Sequence, residues 1–277
     1  MAKIRGEKFK PFAQNAPMNS DNIAYYGVLK YEAFLTRLEK FSPDGNYFIK
    51  ETMQDAEKEN FDKDPWTYYF NKFNFRDEFN ADSPKKKIGF FGCSFTMGEG
   101  IKREKTFAYQ VASEFDLEYF NFGAPGSSVE RVARTFSMAT KLVNLDYAVI
   151  TFPSHFRQFY QNSNSEIINI IPGWPHSGYK KMVETLYTLD DEFFAVKAVS
   201  HINWVHDVAE ANNIKIIYSS WDHPLNELCS FLAPKQTIDP FPNIDDKCAR
   251  DNMHPGIKSQ TAHAEQIIKA INDRAWV

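Results

Sequence analysis

The sequence predicts a three-layer α/β/α sandwich with a mostly parallel sheet, preceded by an N-terminal helical extension. Three observations predict it. From residue 88 onward, short apolar runs alternate with segments of helical period, the pattern of a parallel sheet covered by helices on both faces. The first two runs end in glycine-containing turns that lead into helical segments. Of the 277 residues, 43% are hydrophobic and 25% charged, enough apolar side chain to bury a core and to exclude disorder as the main state.

The elements follow in order. Residues 1–19 carry scattered Lys, Pro and Asn without a period and read as a tail or wrapping arm. Ser20 is a plausible N-cap for a helix whose face is Ile23, Tyr31, Phe34, Leu38 and Phe41, with Gly27 weakening its first turns. Ser42-Pro43-Asp44-Gly45 ends it in a turn. Residues 46–84 are aromatic but irregular. Asp82-Ser83-Pro84 and the lysines at 85–87 mark a boundary, dividing the chain into a 1–84 extension and an 85–277 domain. Ile88–Gly92 reads as a buried strand. A helix over 103–115 puts Phe107, Val111, Ala112 and Phe115 on one face, and Glu118–Phe122 is a second strand. Ser127, with Glu130 three residues on, forms a capping box for a helix to about Leu142. Tyr147–Phe152 is a third strand. Residues 160–178 read as a long surface loop, followed by helices over 178–189 and 191–212. Ile214–Ser219 is a fourth strand. A loop-rich stretch then leads to a last helix over 258–273.

Composition narrows the function. Lys and Arg total 32 against 36 Asp and Glu, a net charge of −4, so no basic footprint for nucleic acid is expected. No apolar run approaches the ~20 residues of a membrane span, and no apolar stretch follows the first residues as in a secretory leader. Three cysteines form no disulfide framework, and a cytoplasmic location is expected. Metal-binding C-x-x-C and H-E-x-x-H patterns are missing, so neither a metal nor another cofactor is expected. Aromatic residues reach 16%. They fit a Phe-rich core first and the lining of a sugar or acyl cleft second.

In a parallel sheet, ligands gather beyond the carboxyl ends of the strands. After the first strand, Gly92 is followed five residues later by Met97 and no Gly-Lys pair occurs, so there is no P-loop. A dinucleotide fingerprint would need a glycine where Arg103 stands. What remains is Ser94, directly after a strand, its hydroxyl exposed near helix N-terminal amides that can stabilise an oxyanion; the plainer reading is an N-cap. Gly126 precedes the second helix and offers an unobstructed backbone N–H, or simply a tight turn. Asp251 stands three residues before His254, and such an Asp can hold a His tautomer while the ring takes a serine proton.

Taken together, these pieces resemble the SGNH/GDSL hydrolase superfamily. Gly92-Cys93-Ser94 is similar to the family's Gly-Asp-Ser, Asn121 through Gly126 to its Asn followed by Gly-x-x-Gly, and Asp251-x-x-His254-Pro255 to its closing block. Upstream, Asn71 through Asp77 resembles the Asn-x-x-Gly-Phe-Arg segment of some members, with Asn74 for the glycine. The resemblance covers about residues 88–273. It implies the flavodoxin-like SGNH fold, Ser94 as nucleophile, His254 as general base and Asp251 as its orienting carboxylate. The N–H groups of Ser94 and Gly126 would form part of the oxyanion hole. Two departures stand out. Cys93 replaces the family's Asp and is expected to be buried as a small hydrophobe, with a Cys93 nucleophile as the minor alternative. The block that supplies an oxyanion Asn reads Phe152-Pro153-Ser154-His155-Phe156-Arg157. Ser154 falls near the Asn position as a third donor, with His155 and Arg157 as electrostatic substitutes. His223 also reaches this edge, and all three are candidates for substrate binding. The expected function is cleavage or transfer of acyl ester groups on a small-molecule or carbohydrate substrate. The competing expectation is an inactive SGNH-like module that binds glycan or a protein partner.

Overall fold

The computed structural model describes residues 71, 73, 75–161, 167–170, 188–189, 191–244, 249 and 254–277. The helix predicted after Ser20, nearly all of that over 178–189, and Asp251 lie outside the described residues.

The elements run β1 (Lys87–Gly92), α1 (Ser94–Met97), α2 (Phe107–Glu114), β2 (Glu118–Gly123), α3 (Val129–Ala139) and β3 (Tyr147–Phe152). They continue with β4 (Gln158–Gln161), β5 (Ile167–Ile170), α4 (Asp191–Ala211), β6 (Lys215–Ser220), α5 (His223–Leu232) and α6 (Ile257–Asp273). One sheet has the order β2-β1-β3-β6, and every neighbouring pair in it is parallel. Its strands are apolar almost throughout, as a sheet covered on both faces requires. One core joins Phe91, Phe122, Ile150 and Tyr218 to α3, α4 and α5 through Phe136, Ile202 and Leu225. The other joins Phe90, Val149 and Ile217 to α2 and α6 through Phe107, Val111 and Ile267. Two cores separated by one sheet make the three-layer α/β/α sandwich that the alternation predicts. The Phe-rich reading also holds: Phe91 stacks on Phe122 at 4.8 Å and meets Phe136 edge-on at 5.1 Å.

The stretch before Pro84 packs into the same core. Phe73 and Phe75 are buried within it, and Phe75 meets Phe122 at 5.0 Å.

Local corrections have local causes. The N-cap of α3 is Ser128, not Ser127: the Ser128 hydroxyl accepts from the Arg131 N–H at 3.2 Å, while Ser127 Oγ donates to the Ala124 carbonyl at 2.6 Å and closes the preceding turn. The helix stops at Ala139, where successive amides fold back on the carbonyls of 138 and 139. Within the stretch read as a loop over 160–178, β4 and β5 form an antiparallel pair. A two-stranded ribbon apart from the main sheet can be as short as its two four-residue strands, and runs that brief inside a polar stretch do not read as strands. The loop-rich stretch after β6 contains α5, whose Pro224 sits in the first turn, where a missing N–H costs nothing.

Candidate active site

The carboxyl ends of β1, β3 and β6 lie side by side, with Gly92 paired to Thr151 and Phe152 to Ser220. Each strand therefore delivers its next residues to one edge: Ser94 from β1, Ser154 to Arg157 from β3, Trp221 to His223 from β6.

Ser94 is the first residue of α1, after the extended Cys93. The first N–H groups of a helix have no partner within it. Among the described residues, no loop or cap hydrogen bond uses the N–H of Ser94 or of Gly126. Ser94 is 5% exposed and Cys93 fully buried, as expected of Cys93. The turn is fixed from β2. Asn121 Nδ2 donates to the Thr96 carbonyl at 3.1 Å, and its Oδ1 accepts the Gly123 N–H at 3.0 Å. A Cβ at Gly123 would collide with the Met97 backbone nitrogen, so glycine there lets α1 lie against the strand. Gly126 has φ +70°, the left-handed region that glycine enters without strain.

His254 precedes α6 and is held close to α1. Gln260 of α6 donates through Nε2 to the Phe95 carbonyl at 3.0 Å and accepts the Phe107 N–H at 2.9 Å. The His254 ring meets Phe95, chain neighbour of Ser94, edge-on at 5.8 Å. Its Nε2 stands 3.9 Å from Oε2 of Glu99, a buried residue that the motif reading passes over. Glu99 belongs to the turn after α1, its N–H bonded to the Ser94 carbonyl at 3.0 Å. No sequence pattern marks it, because its partner lies 155 positions away in the chain.

The segment after β3 is organised by Asp222, also absent from the motif reading. Asp222 Oδ2 is 3.0 Å from His155 Nδ1 and 3.3 Å from the His155 N–H. Burial raises the Asp222 carboxyl, but hydrogen bonds from His155 and Ser154 outweigh it and hold it below the usual carboxylate range. An ionised carboxylate only accepts, so the His155 proton sits on Nδ1 and Nε2 keeps its lone pair in the neutral ring. Ser154 lies against the same carboxyl, and its hydroxyl accepts the Phe156 N–H at 3.4 Å. Arg157 lies over the Trp221 ring at 5.0 Å, and Trp221 meets Phe95 at 5.5 Å. His223 is the exposed first residue of α5. The structure thus gathers Ser94, His254, Ser154, His155 and Arg157 at one edge, with His223 at its outer rim. Among the described residues, no three His, Cys, Asp or Glu side chains converge as metal ligands.

Comparison with known proteins finds no matching family model and no matching curated protein. Solved structures do match. A protein named for the G-D-S-L lipolytic family, from Desulfitobacterium hafniense, is 13% identical, with 67% of this chain and 99% of that one covered at a TM-score of 0.46. The acetyl xylan esterase Est2A of Butyrivibrio proteoclasticus is 15% identical, covering 73% of this chain and 68% of its own at 0.45. The psychrotrophic esterase EstA of Pseudoalteromonas is 11% identical, covering 69% and 98% at 0.45.

Proposed function

We propose that the chain is a serine hydrolase of the SGNH type that cleaves or transfers acyl ester groups. The observation that supports this is that His254, 160 positions from Ser94 in the chain, packs on the ring of Phe95, which follows Ser94 on the first turn of α1. In this reading, Ser94 Oγ attacks the ester carbonyl carbon while His254 takes its proton. The Ser94 and Gly126 N–H groups receive the negative charge on the carbonyl oxygen. Collapse of the tetrahedral intermediate breaks the ester bond, and His254 returns the proton to the departing alcohol. Water, or a sugar hydroxyl, then attacks the acyl-enzyme by the same route. Asp251 orients the ring, and the Glu99 carboxyl group beside Nε2 favours the imidazolium formed during each transfer. Ester-bearing carbohydrates fit the aromatic edge made by Phe95 and Trp221.

The competing reading, a binding module without turnover, is favoured by one observation: no asparagine directly follows β3 as an oxyanion donor, and Ser154, near that position, lies against Asp222 and helps hold its carboxyl ionised. Losing one such donor costs on the order of 10²–10³ in rate. Labelling with a fluorophosphonate serine probe separates the two. Labelling lost in both Ser94→Ala and His254→Ala supports the hydrolase. An unlabelled wild-type protein that is folded by circular dichroism leaves the binding module.

A further inference from the structure

Two donors at the carboxyl edge of the sheet have no acceptor. The Arg157 guanidinium lies over the Trp221 ring at 5.0 Å, and both Arg157 Nη1 and Trp221 Nε1 are buried without a hydrogen-bond partner. A buried donor left unpaired carries its full desolvation cost, so native proteins meet nearly all of them. Asp222, next in the chain to Trp221, turns its Oδ2 to the His155 ring and the His155 N–H. The carbonyls of His155 and Arg157 accept from Gln158 Nε2, and the Ser154 carbonyl accepts the Arg157 N–H. Gln158 Oε1 accepts from Lys197 Nζ at 2.6 Å. Arg157 also has no carboxylate partner among the described residues, although it is only half-buried. The unmet acceptor is anionic by the chemistry of the donors: a guanidinium offers parallel N–H groups matched to a carboxylate, and the indole adds a third. Its place is set by Trp221, 5.5 Å from Phe95 and so one residue from Ser94.

We infer that Arg157 and Trp221 form a subsite for a carboxylate on the substrate, so the preferred ester carries a negative charge close to the scissile bond. This rests on the hydrolase reading for its catalytic consequence, but not for binding itself. Two substrate pairs test it. 4-Nitrophenyl hemisuccinate against 4-nitrophenyl acetate puts the charge on the acyl side. An acetylated methyl glucuronide against the acetylated methyl glucoside puts it on the alcohol side. In at least one pair, kcat/KM favours the charged ester by about tenfold or more, the scale of one charge-assisted hydrogen bond. Arg157→Gln brings that ratio close to one, and Trp221→Phe, which keeps the stacking ring but not the N–H, lowers it by less. A ratio near one in both wild-type pairs, or one that survives Arg157→Gln, overturns the subsite. Calorimetric titration of the wild-type protein with methyl glucuronide, methyl glucoside and succinate gives a second readout without turnover. Carboxylate binding lost in Arg157→Gln, in a protein that turns over no ester, upholds the subsite and overturns the hydrolase reading. Turnover without charge preference overturns the subsite alone.

Discussion

His263 shows what one buried side chain does to acid stability. It is fully buried, with Nδ1 3.0 Å from Gln266 Oε1 and Nε2 within 3.3 Å of Thr151 Oγ1 and 3.4 Å of Ser219 Oγ. Gln266 Oε1 is an acceptor, so the ring is a donor at Nδ1 and takes a hydroxyl proton at Nε2, which satisfies the neutral form. Burial drives its pKa down to about 4, and the Gln266 hydrogen bond opposes this only weakly. The unfolded chain binds the proton near pH 6.5, the folded chain only near 4. Between these values the unfolded state holds more protons, so stability is whole above pH 6.5 and falls as the pH drops toward 4. A gap of this size corresponds to roughly 3 kcal/mol. Melting temperatures measured from pH 7.5 to pH 4 therefore decline through this window in the wild type. In His263→Gln the curve starts lower, because packing is lost, but its acid limb is flatter. Equal slopes in the two proteins would mean that other groups carry the acid loss. Cys229 behaves differently under the same burial: its thiol is pushed up to about 12 and stays protonated. It is expected to resist thiol reagents until the protein unfolds.

At the scale of an element, α1 is too short to hold itself. It has four residues, and isolated helices of that length do not form in water. Arg76, from the segment before the sheet, supplies what the helix lacks. Its Nη1 donates to the Met97 carbonyl at 2.9 Å and the Gly98 carbonyl at 2.7 Å, and its Nη2 to the Ile101 carbonyl at 2.9 Å. All of this is buried, with Arg76 2% exposed. Arg76→Met leaves three carbonyls without their charged donor and is expected to cost about 3 kcal/mol or more in urea unfolding. Arg76→Lys should recover little, since an ammonium does not reproduce the fork. Under conditions where the variant stays folded, probe labelling of Ser94 slows, because the turn that presents it has lost its clamp. Unchanged labelling would show that α1 is held by Asn121 and Gly123 alone. The Asn71-to-Asp77 segment was legible as a motif, yet its purpose was not. Nothing in the chain says that residue 76 reaches residues 97 to 101. The same limit applies at the site. Ser94, Gly126 and His254 could be named as candidates because each sits beside a strand end or helix start that local pattern reveals. Glu99 and Asp222 lie against His254 and His155, and those pairings exist only once the strands are in register.

Across the whole molecule, the strand–helix alternation was enough to fix the layers, since a parallel sheet leaves few ways to cover two apolar faces. The misread parts have local causes: the β4–β5 ribbon stands apart from the main sheet, α5 is short and carries a proline in its first turn, and the α3 cap is shifted by one residue. A parallel sheet also divides labour between its edges. All four strands point their carboxyl ends toward Ser94, His155 and Trp221, so the opposite edge is left for stability. There Trp276 stacks on Tyr147, at the start of β3, with ring centroids 5.9 Å apart. Its carbonyl accepts the Tyr147 hydroxyl at 2.7 Å and Lys215 Nζ, at the start of β6, at 3.4 Å. Trp276→Ala removes the stack and loosens the carbonyl, a loss of about 1–2 kcal/mol, or several degrees in melting temperature for a domain of this size. The labelling rate of Ser94 in the folded protein should stay at the wild-type value, because no strand end at the carboxyl edge depends on that contact. Ser94→Ala should do the reverse, removing labelling while leaving the melting temperature within a degree or two, since the substitution deletes one buried hydroxyl and opens little space. A Trp276→Ala protein that melts lower and also labels slowly would mean that the two edges are coupled through β3. The site would then rest on the whole sheet rather than on its carboxyl edge.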